Sequence, residues 1–378
     1  MSKTMEARFG SAVRLSARLK KAAKVAMGDV LKARKGERVL IITNPSHDVH
    51  LISMALYDAA LARRAEPTLI LQPPKSQFDF AEDAVLHALR SEPEIILSVS
   101  RHKLGKDRFA LKKPYKHKGK TIGHIFNYLM ESKKSRSFWS PSVTVDMFER
   151  TVPIDYKKLK ANCTKLKAVL DRASEVHVTT REGTDIIIGV RKRKADEDDG
   201  NFSKPGSGGN VPAGEVYISP ELGTGDGTIV FNGCIASGSG VILIKEPIVA
   251  TVRENMVTKV SGGKEARALK ATFESARRTT RKFAKDGLIP RKALPDYLRN
   301  IYNLGELGIG LNEKARIVGN MLEDEKVLKT CHIAIGSNYD GDAKALIHLD
   351  GLVKRPTMEV RDAKGRPQVI MKNGNIVI

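Results

Sequence analysis

The sequence predicts an α/β protein with an N-terminal Rossmann-like domain on a parallel sheet and a C-terminal α+β domain with an antiparallel, barrel-like sheet. Two observations predict this class. Apolar strands and helical segments alternate in the first half, whereas short strands follow one another across glycine turns in the second half. Because 378 residues is long for a single core, we expect two domains, residues 1–165 and 166–378.

The N-terminal half carries the alternating pattern. Apolar runs of strand type occupy residues 38–43, 67–71 and 94–100, and segments with helical spacing, 50–64 and 81–89, lie between them. Such an alternation is typical of βαβ units, whose strands pair in parallel. The first strand is not followed by G-x-G-x-x-G, so the sequence does not predict a dinucleotide site.

The second half of the sequence has a different pattern, dominated by predicted strands. A β-hairpin is predicted over 175–190, and the charged, glycine-rich stretch 191–210 is predicted to be a solvated loop. One helical block, 264–286, interrupts the strands that follow. Period-2 alternation between glycine pairs predicts antiparallel strands, which we place at 215–219, 227–231, 240–244, 248–252 and 256–260.

Positive charge is the most unusual property of the composition. The chain has 65 Lys and Arg against 43 Asp and Glu, a formal net charge of +22. Residues 101–120 hold nine Lys and Arg and one acid, Asp107. We interpret this stretch as a solvated basic face or loop, with a patch that attracts RNA or other anions as the alternative. No RNA-recognition, zinc-finger or helix-turn-helix motif accompanies it, so only non-specific attraction of nucleic acid is predicted.

The remaining composition favours a cytoplasmic protein. Its three cysteines, Cys163, Cys234 and Cys331, lack metal-ligand spacing and are interpreted as reduced thiols. The first 28 residues are basic, and we expect an amphipathic surface helix there rather than a transit peptide. No apolar run approaches 18 residues, so no membrane association is predicted.

Side chains that ligate metals are concentrated in apolar strands near the C-terminus. His348 and Asp350 are two residues apart in a predicted strand and therefore lie on the same face. His332 lies in another apolar strand, and Glu306 lies between glycine-bearing turns. Glu215 begins a strand after a Pro-Ala-Gly turn. Taken singly, each of these residues is better explained by a structural role.

Five segments, taken together, resemble the M29 aminopeptidases, the aminopeptidase T family. The resemblance is clearest from residue 210 to 360 and fainter from about 35 through 189. The segments, in order, are NVPAGEVYISP (210–220), CIASGSGVILIKEPIVATVRENMVTKVSGG (234–263), LGELGIGLN (304–312), EDEKVLKTCHIAIGSNY (323–339) and IHLDGLVKRPTMEV (347–360).

This resemblance implies a function and a site. Members of the family bind two divalent cations, such as Zn, Co or Mn, and remove N-terminal residues from peptide substrates, usually as homodimers. The metal positions that it implies are Glu215, Glu306, His332, His348 and Asp350, and the implied active-site tyrosine is Tyr339. We expect Glu306 to be a bridging ligand or a proton acceptor and Tyr339 to donate a hydrogen bond to the oxyanion.

Two other functions remain open at this point. Pyridine-ring-cleaving dioxygenases resemble the same family, and a single Fe(II) on His332, His348 and Asp350 is the alternative enzyme site. Presence of both Glu215 and Glu306 favours the dinuclear hydrolase. A third alternative is a non-enzymatic protein that uses its basic charge to bind RNA or an acidic partner.

Overall fold

The computed structural model describes residues 15–76 and 79–378 and divides into two compact units. The first unit spans Met1–Lys160 and Asp198–Ala213, and the second spans Ala161–Glu197 and Gly214–Ile378. The helix predicted over the first 28 residues lies partly outside the described residues. Its described part begins at Ala17.

Helices occur in both units. Side-chain caps mark several of their starts; Asp107, for example, accepts hydrogen bonds from two backbone N–H groups in the first turn of its helix. In the described residues the α-helices are α1 (Ala17–Val25), α2 (His47–Ala62), α3 (Asp83–Arg90), α4 (Arg108–Lys112), α5 (Ile125–Glu131), α6 (Val145–Thr151), α7 (Tyr156–Leu170), α8 (Lys264–Lys285), α9 (Leu294–Arg299) and α10 (Met321–Asp324).

Strands outnumber helices in the second unit. The described strands are β1 (Arg38–Thr43), β2 (Glu66–Leu71), β3 (Ile95–Ser100), β4 (Tyr115–His117), β5 (Lys120–Ile122), β6 (Arg136–Pro141), β7 (Ala173–Thr179), β8 (Asp185–Gly189), β9 (Asp196–Asp198), β10 (Gly208–Asn210), β11 (Glu215–Ile218), β12 (Asp226–Phe231), β13 (Cys234–Ser237), β14 (Gly240–Leu243), β15 (Ile248–Arg253), β16 (Met256–Ser261), β17 (Leu304–Gly310), β18 (Thr330–Gly336), β19 (His348–Lys354), β20 (Thr357–Asp362), β21 (Pro367–Lys372) and β22 (Asn375–Ile376).

The first unit is built on a parallel sheet of order β10-β6-β3-β1-β2. Every residue of β3 is buried, as expected for a parallel strand covered on both faces. One core cluster joins this sheet to α3 and α5 through Leu40, Ile42, Leu86, Ile96 and Leu129. The predicted Rossmann-like N-terminal domain is confirmed.

The second unit contains two sheets rather than one. A seven-stranded sheet has the order β14-β13-β19-β18-β17-β11-β9, and an eight-stranded sheet has the order β16-β15-β12-β8-β7-β20-β21-β22. The pairings within them that bear on the site are antiparallel, so the predicted α+β class of the second half is confirmed. Strand patterns alone do not determine how antiparallel strands divide between sheets.

The stretch 191–210 was wrongly predicted to be only a solvated loop. It contains β9 and β10, and Ala195 is fully buried. Strand β10 pairs in parallel with β6, which places Asp198–Ala213 with the first unit. The predicted single domain boundary after residue 165 does not describe this arrangement, because the chain returns to the first unit at Asp198. The short glycine-bearing strand has no apolar periodicity that would reveal it.

Among the helices in the described ranges, none is long and apolar enough to cross a membrane.

Candidate metal centre

The five predicted ligands lie on four neighbouring strands of the seven-stranded sheet. Glu215 begins β11, Glu306 is on β17, His332 is on β18, and His348 and Asp350 are on β19. In the antiparallel register, Ala334 is opposite both Glu306 and Asp350. Residues that are opposite or two apart share a face of a sheet, so all five side chains project from one face.

Glu306 lies at the middle of this cluster. Its Oε1 is 3.0 Å from Nε2 of His332, and its Oε2 is 3.2 Å from Nε2 of His348. The residue is only 3% exposed. Each oxygen of this one carboxylate therefore faces a different imidazole.

His332 is completely buried and faces two carboxylates. Besides the contact with Glu306, its Nε2 lies 3.5 Å from Oε2 of Glu215. Neither Oε2 of Glu215 nor Nδ1 of His332 has a hydrogen-bond partner within the described part of the chain, although both atoms are buried. Buried polar atoms without partners are costly, and a bound cation would satisfy the carboxylate oxygen.

A glycine makes room for this imidazole. Gly308 is directly opposite His332 in the β17–β18 pair. A Cβ atom at residue 308 would lie 2.0 Å from Nε2 of His332, far inside van der Waals contact. The ring can cross the neighbouring strand only because residue 308 has no side chain.

His348 is held in the tautomer that a metal ligand needs. Its Nδ1 lies 2.7 Å from the Ser337 carbonyl oxygen, which can only accept, so Nδ1 carries a proton. In the neutral ring, Nε2 is then a lone pair directed at the cluster. Nε2 lies 3.2 Å from Oδ1 of Asp350, and no contact of Nε2 has hydrogen-bond geometry. This position can hold a proton in the metal-free cluster or a bound cation.

A buried lysine and a further glutamate lie beside the cluster, and the sequence did not predict them as site residues. Nζ of Lys326, which is 0% exposed, donates a 2.7 Å hydrogen bond to Oε1 of Glu215 and also contacts Glu325. The acidic run that precedes β18 was the available signal. The pairing itself joins residues 111 positions apart and could not be inferred from it.

The pKa values of three site residues are raised in the metal-free cluster, which therefore binds protons tightly. Burial raises the pKa of Glu215 to about 8 despite the nearby Lys326. Burial alone would lower the pKa of His332, but Glu306 and Glu215 raise it to about 9. Asp350 and Glu306 likewise raise the pKa of His348 well above its usual value.

The two remaining carboxylates are held ionised. Burial would raise the pKa of Asp350, but the charge of His348 outweighs it and lowers the pKa to about 2. In the same way, contacts with His332 and His348 lower the pKa of Glu306. Without metal, protons on imidazoles therefore balance part of the carboxylate charge.

Tyr339 lies at the open side of the cluster. Its ring centroid is 5.1 Å from that of His348 and 5.3 Å from that of Tyr217, and the side chain is 63% exposed. Desolvation of the phenol and the negative charge of Glu306 raise its pKa, so the hydroxyl stays protonated. Arg193 forms salt bridges with Asp340 and Asp342, which anchor the loop that carries Tyr339.

The donor atoms form two overlapping groups. Glu215, Glu306 and His332 offer ligand atoms within 4.8 Å of one another, and so do Glu306, His348 and Asp350. Each group has one imidazole, and Glu306 belongs to both. Carboxylate and imidazole donors in this arrangement fit divalent cations.

The family follows from a sequence comparison. A family model described as NicX, 2,5-dihydroxypyridine 5,6-dioxygenase, matches residues 143–338, slightly more than half of the chain. The chain belongs to this family. The matched range includes Glu215, Glu306 and His332, but it ends before the strand that carries His348 and Asp350.

Two solved structures share the fold. One is 2,5-dihydroxypyridine dioxygenase from Pseudomonas putida KT2440, with a TM-score of 0.70 and 14% identity over 95% of this chain and 96% of that chain. The other is wild-type AmpT from Thermus thermophilus, with a TM-score of 0.63 and 18% identity over 96% of this chain and 99% of that chain. A search of curated protein sequences gives no match.

These comparisons confirm the expected likeness to aminopeptidase T in the fold. The dioxygenase has the same fold, so fold alone does not choose between peptide hydrolysis and ring cleavage. Family, fold and the donor cluster together support a metal-binding enzyme.

Proposed function

We propose that this chain is a metallo-aminopeptidase that holds two divalent cations, Zn, Co or Mn, and hydrolyses the N-terminal residue from peptides. One observation carries the proposal. The donors form two groups that share Glu306, and each group has its own imidazole and its own second carboxylate. A shared carboxylate between two such groups is suited to bridging two cations.

The charge of the cluster favours two cations over one. The site has four carboxylates, those of Glu215, Glu306, Asp350 and Glu325, and among the described residues one ammonium pairs with two of them, that of Lys326. With all four carboxylates ionised and both imidazoles neutral, as metal ligands are, three negative charges remain. Uncompensated buried charge is strongly unfavourable. Two divalent cations and one hydroxide would neutralise the cluster, whereas a single divalent cation would leave it negative.

The residues have complementary roles in this proposal. When bound, two cations would acidify a shared water and polarise the scissile carbonyl. Glu306, the carboxylate common to both groups, is the candidate bridging ligand or proton acceptor. Tyr339 is the candidate donor to the oxyanion, and its exposed position at the rim suits contact with a substrate. Both assignments are part of the proposal.

The family match favours a second candidate, a mononuclear Fe(II) ring-cleaving dioxygenase. Such a site uses two imidazoles and one carboxylate around a single ion, here His332, His348 and Asp350. Among the described residues, those three do not form a group within 4.8 Å; each imidazole groups instead with Glu306. We therefore place the hydrolase first.

Metal stoichiometry combined with two activity assays distinguishes the candidates. The purified protein is analysed for metals, then assayed on a panel of aminoacyl-anilides and, with an oxygen electrode, on 2,5-dihydroxypyridine. We expect two Zn, Co or Mn per chain and anilide cleavage that chelator abolishes and added metal restores. One Fe(II) per chain with oxygen consumption would establish the dioxygenase instead. Two metals without cleavage of any anilide would refute the aminopeptidase substrate class.

The proposed assembly is a homodimer and the proposed location is the cytoplasm. The homodimer is supported by the resemblance to aminopeptidase T. The location is supported by three buried cysteines, Cys163, Cys234 and Cys331, which suit a reducing compartment. Light scattering during gel filtration tests the assembly; a monomeric mass at micromolar concentration would refute it.

A further inference from the structure

Residues 101–120, which the metal site does not use, contribute to a wide basic cleft in the first unit. The cleft has a volume of about 1050 Å³ and is lined by cations and aromatic rings. Its lining, which we call the basic cleft, consists of Arg90, Phe109, Lys112, Lys113, Pro114, Tyr115, Lys116 and Tyr128. No acidic residue is part of this lining.

The four cations of the basic cleft keep their charge available. In the described residues, neither Arg90 nor any of the three lysines forms a salt bridge. Acids nearby pair with other cations, in the bridges Asp83–Arg108, Glu131–Lys120 and Glu92–Lys134. The lysines are exposed. The cleft therefore presents net positive charge to solvent.

Asp107, the one acid of residues 101–120, does not neutralise the cleft. It is 1% exposed, and its carboxylate accepts hydrogen bonds from the backbone N–H groups of Phe109, Ala110 and Ile125. The backbone bonds lower its pKa against the effect of burial. The carboxylate thus caps α4 and positions α5, and it accepts a hydrogen bond from the Tyr115 hydroxyl at 3.3 Å. In the described residues it forms no salt bridge with a lysine.

Aromatic rings form the floor of the cleft. Tyr115 and Tyr128 are stacked with centroids 5.3 Å apart and an interplanar angle of 28°. The guanidinium of Arg90 lies 4.3 Å from the centroid of Phe109 and also donates to the Tyr115 hydroxyl at 3.3 Å. The three rings are only partly buried. The ammonium of Lys134 also lies over the Tyr128 ring, 5.5 Å from its centroid, so partly exposed aromatic surface alternates with positive charge.

We propose that the basic cleft binds single-stranded nucleic acid, with phosphates on its lysines and bases stacked against its tyrosines. A positive groove with partly exposed aromatic rings is the arrangement that binds single strands without sequence preference. The volume of the cleft, about 1050 Å³, suits a segment of a polymer better than a small anion. Bases give the aromatic floor a role that polyphosphate or an acidic peptide would not.

Fluorescence anisotropy on the full chain tests this proposal with labelled oligo(U) and oligo(dT) of about 12 nucleotides, within the usual site size. Between about 50 and 200 mM salt, we expect log Kd to rise with log salt with a slope of about 3, since four cations contribute about 0.7 each. Replacing all three lysines (Lys112→Ala, Lys113→Ala, Lys116→Ala) should weaken binding about 100-fold at 0.1 M salt and reduce the slope to about 1.

Two controls separate the cleft from the general charge of the chain. The variant Arg278→Ala, Arg281→Ala, Lys282→Ala removes three charges from the exposed face of α8 and should leave affinity nearly unchanged. Tyr128→Leu should weaken binding about tenfold through lost stacking, while Tyr128→Phe keeps the ring and should bind like the wild type. Melting temperatures verify that every variant is folded.

The same experiment can overturn the proposal. Inorganic polyphosphate of equal charge should bind at least about tenfold more weakly than oligo(U), by the contribution of stacking, and should not respond to Tyr128→Leu. If polyphosphate binds as tightly and Tyr128→Leu has no effect, the cleft binds anions through charge alone and is not a nucleic-acid site. If the α8 variant loses as much affinity as the lysine variant, the cleft is not the binding site.

Discussion

The metal cluster and the basic cleft both concentrate charged side chains, but those of the cluster are buried and those of the cleft are exposed. In the cluster, carboxylates of opposed strands are buried around Glu306, which is 3% exposed. In the cleft, the lysines remain in water, and Asp107, the one acid of residues 101–120, is bonded to the backbone. Buried charges depend on one another and on a counterion, whereas exposed charges act almost independently. Substitutions should therefore have large, coupled effects in the first region and small ones in the second.

The largest effect is expected for Glu306→Ala. Because this carboxylate belongs to both donor groups, its loss should lower bound metal below two ions per chain and reduce kcat/KM by about 1,000-fold or more. Metal analysis and anilide hydrolysis measure both quantities. Glu182→Ala, in an exposed turn, is the matched control and should resemble the wild type. Full metal content with full activity in Glu306→Ala would contradict the assignment.

Tyr339→Phe tests the rim of the cluster with a smaller change. Removing only the hydroxyl should lower kcat about 100-fold while KM and metal content stay near their wild-type values, since an oxyanion donor acts in the transition state. Steady-state kinetics beside metal analysis give the answer. An unchanged kcat would leave Tyr339 without a catalytic role, and Tyr297→Phe on α9 controls for loss of a phenol elsewhere.

Gly308→Ala tests how closely the strands are fitted to His332. The added Cβ would lie 2.0 Å from Nε2, so the imidazole must move. We expect metal affinity to fall about 10- to 100-fold, which is the usual loss when a residue that orients a metal ligand is replaced. Isothermal titration measures the affinity. Gly123→Ala, where a Cβ meets nothing within 4 Å, should change nothing; equal affinities in the two variants would show that the ring tolerates displacement.

The stability of the metal-free protein should depend on pH through the cluster. The folded-state pKa values of Glu215, about 8, and His332, about 9, lie above their unfolded values, so these groups stabilise the fold at low pH. That contribution should be lost as pH rises from about 5 to 9, which lowers the melting temperature. Bound metal displaces the protons, so the metal-saturated protein should show a flatter profile. Identical profiles with and without metal would contradict this.

The smallest effect on stability is expected in the basic cleft. Together, Lys112→Ala, Lys113→Ala and Lys116→Ala should change the free energy of unfolding by less than about 0.5 kcal/mol per site, because these exposed side chains form no ion pair with any residue that the structure describes. Urea denaturation measures it. A large loss of stability would mean that the two regions do not differ in the way proposed here.

Local patterns predicted the features that depend on neighbouring residues. Alternation of strands and helices gave the parallel sheet, and the spacing of His348 and Asp350 placed both side chains on one face. Features that depend on distant partners were missed. The Lys326–Glu215 bond joins residues far apart in the chain, and β10 pairs with β6 without an apolar pattern. The sharing of Glu306 between two groups required the register of four strands.

The position of Glu306 in both donor groups also has a thermodynamic consequence. Two cations that bind to one carboxylate cannot fill their places independently, because the first fixes the orientation of oxygens that the second requires. By thermodynamic linkage, each ion changes the binding affinity of the other by the same factor. In the proposed two-cation site, loading would therefore differ from that of two independent sites, because repulsion between the ions opposes the second binding step and the already oriented oxygens favour it.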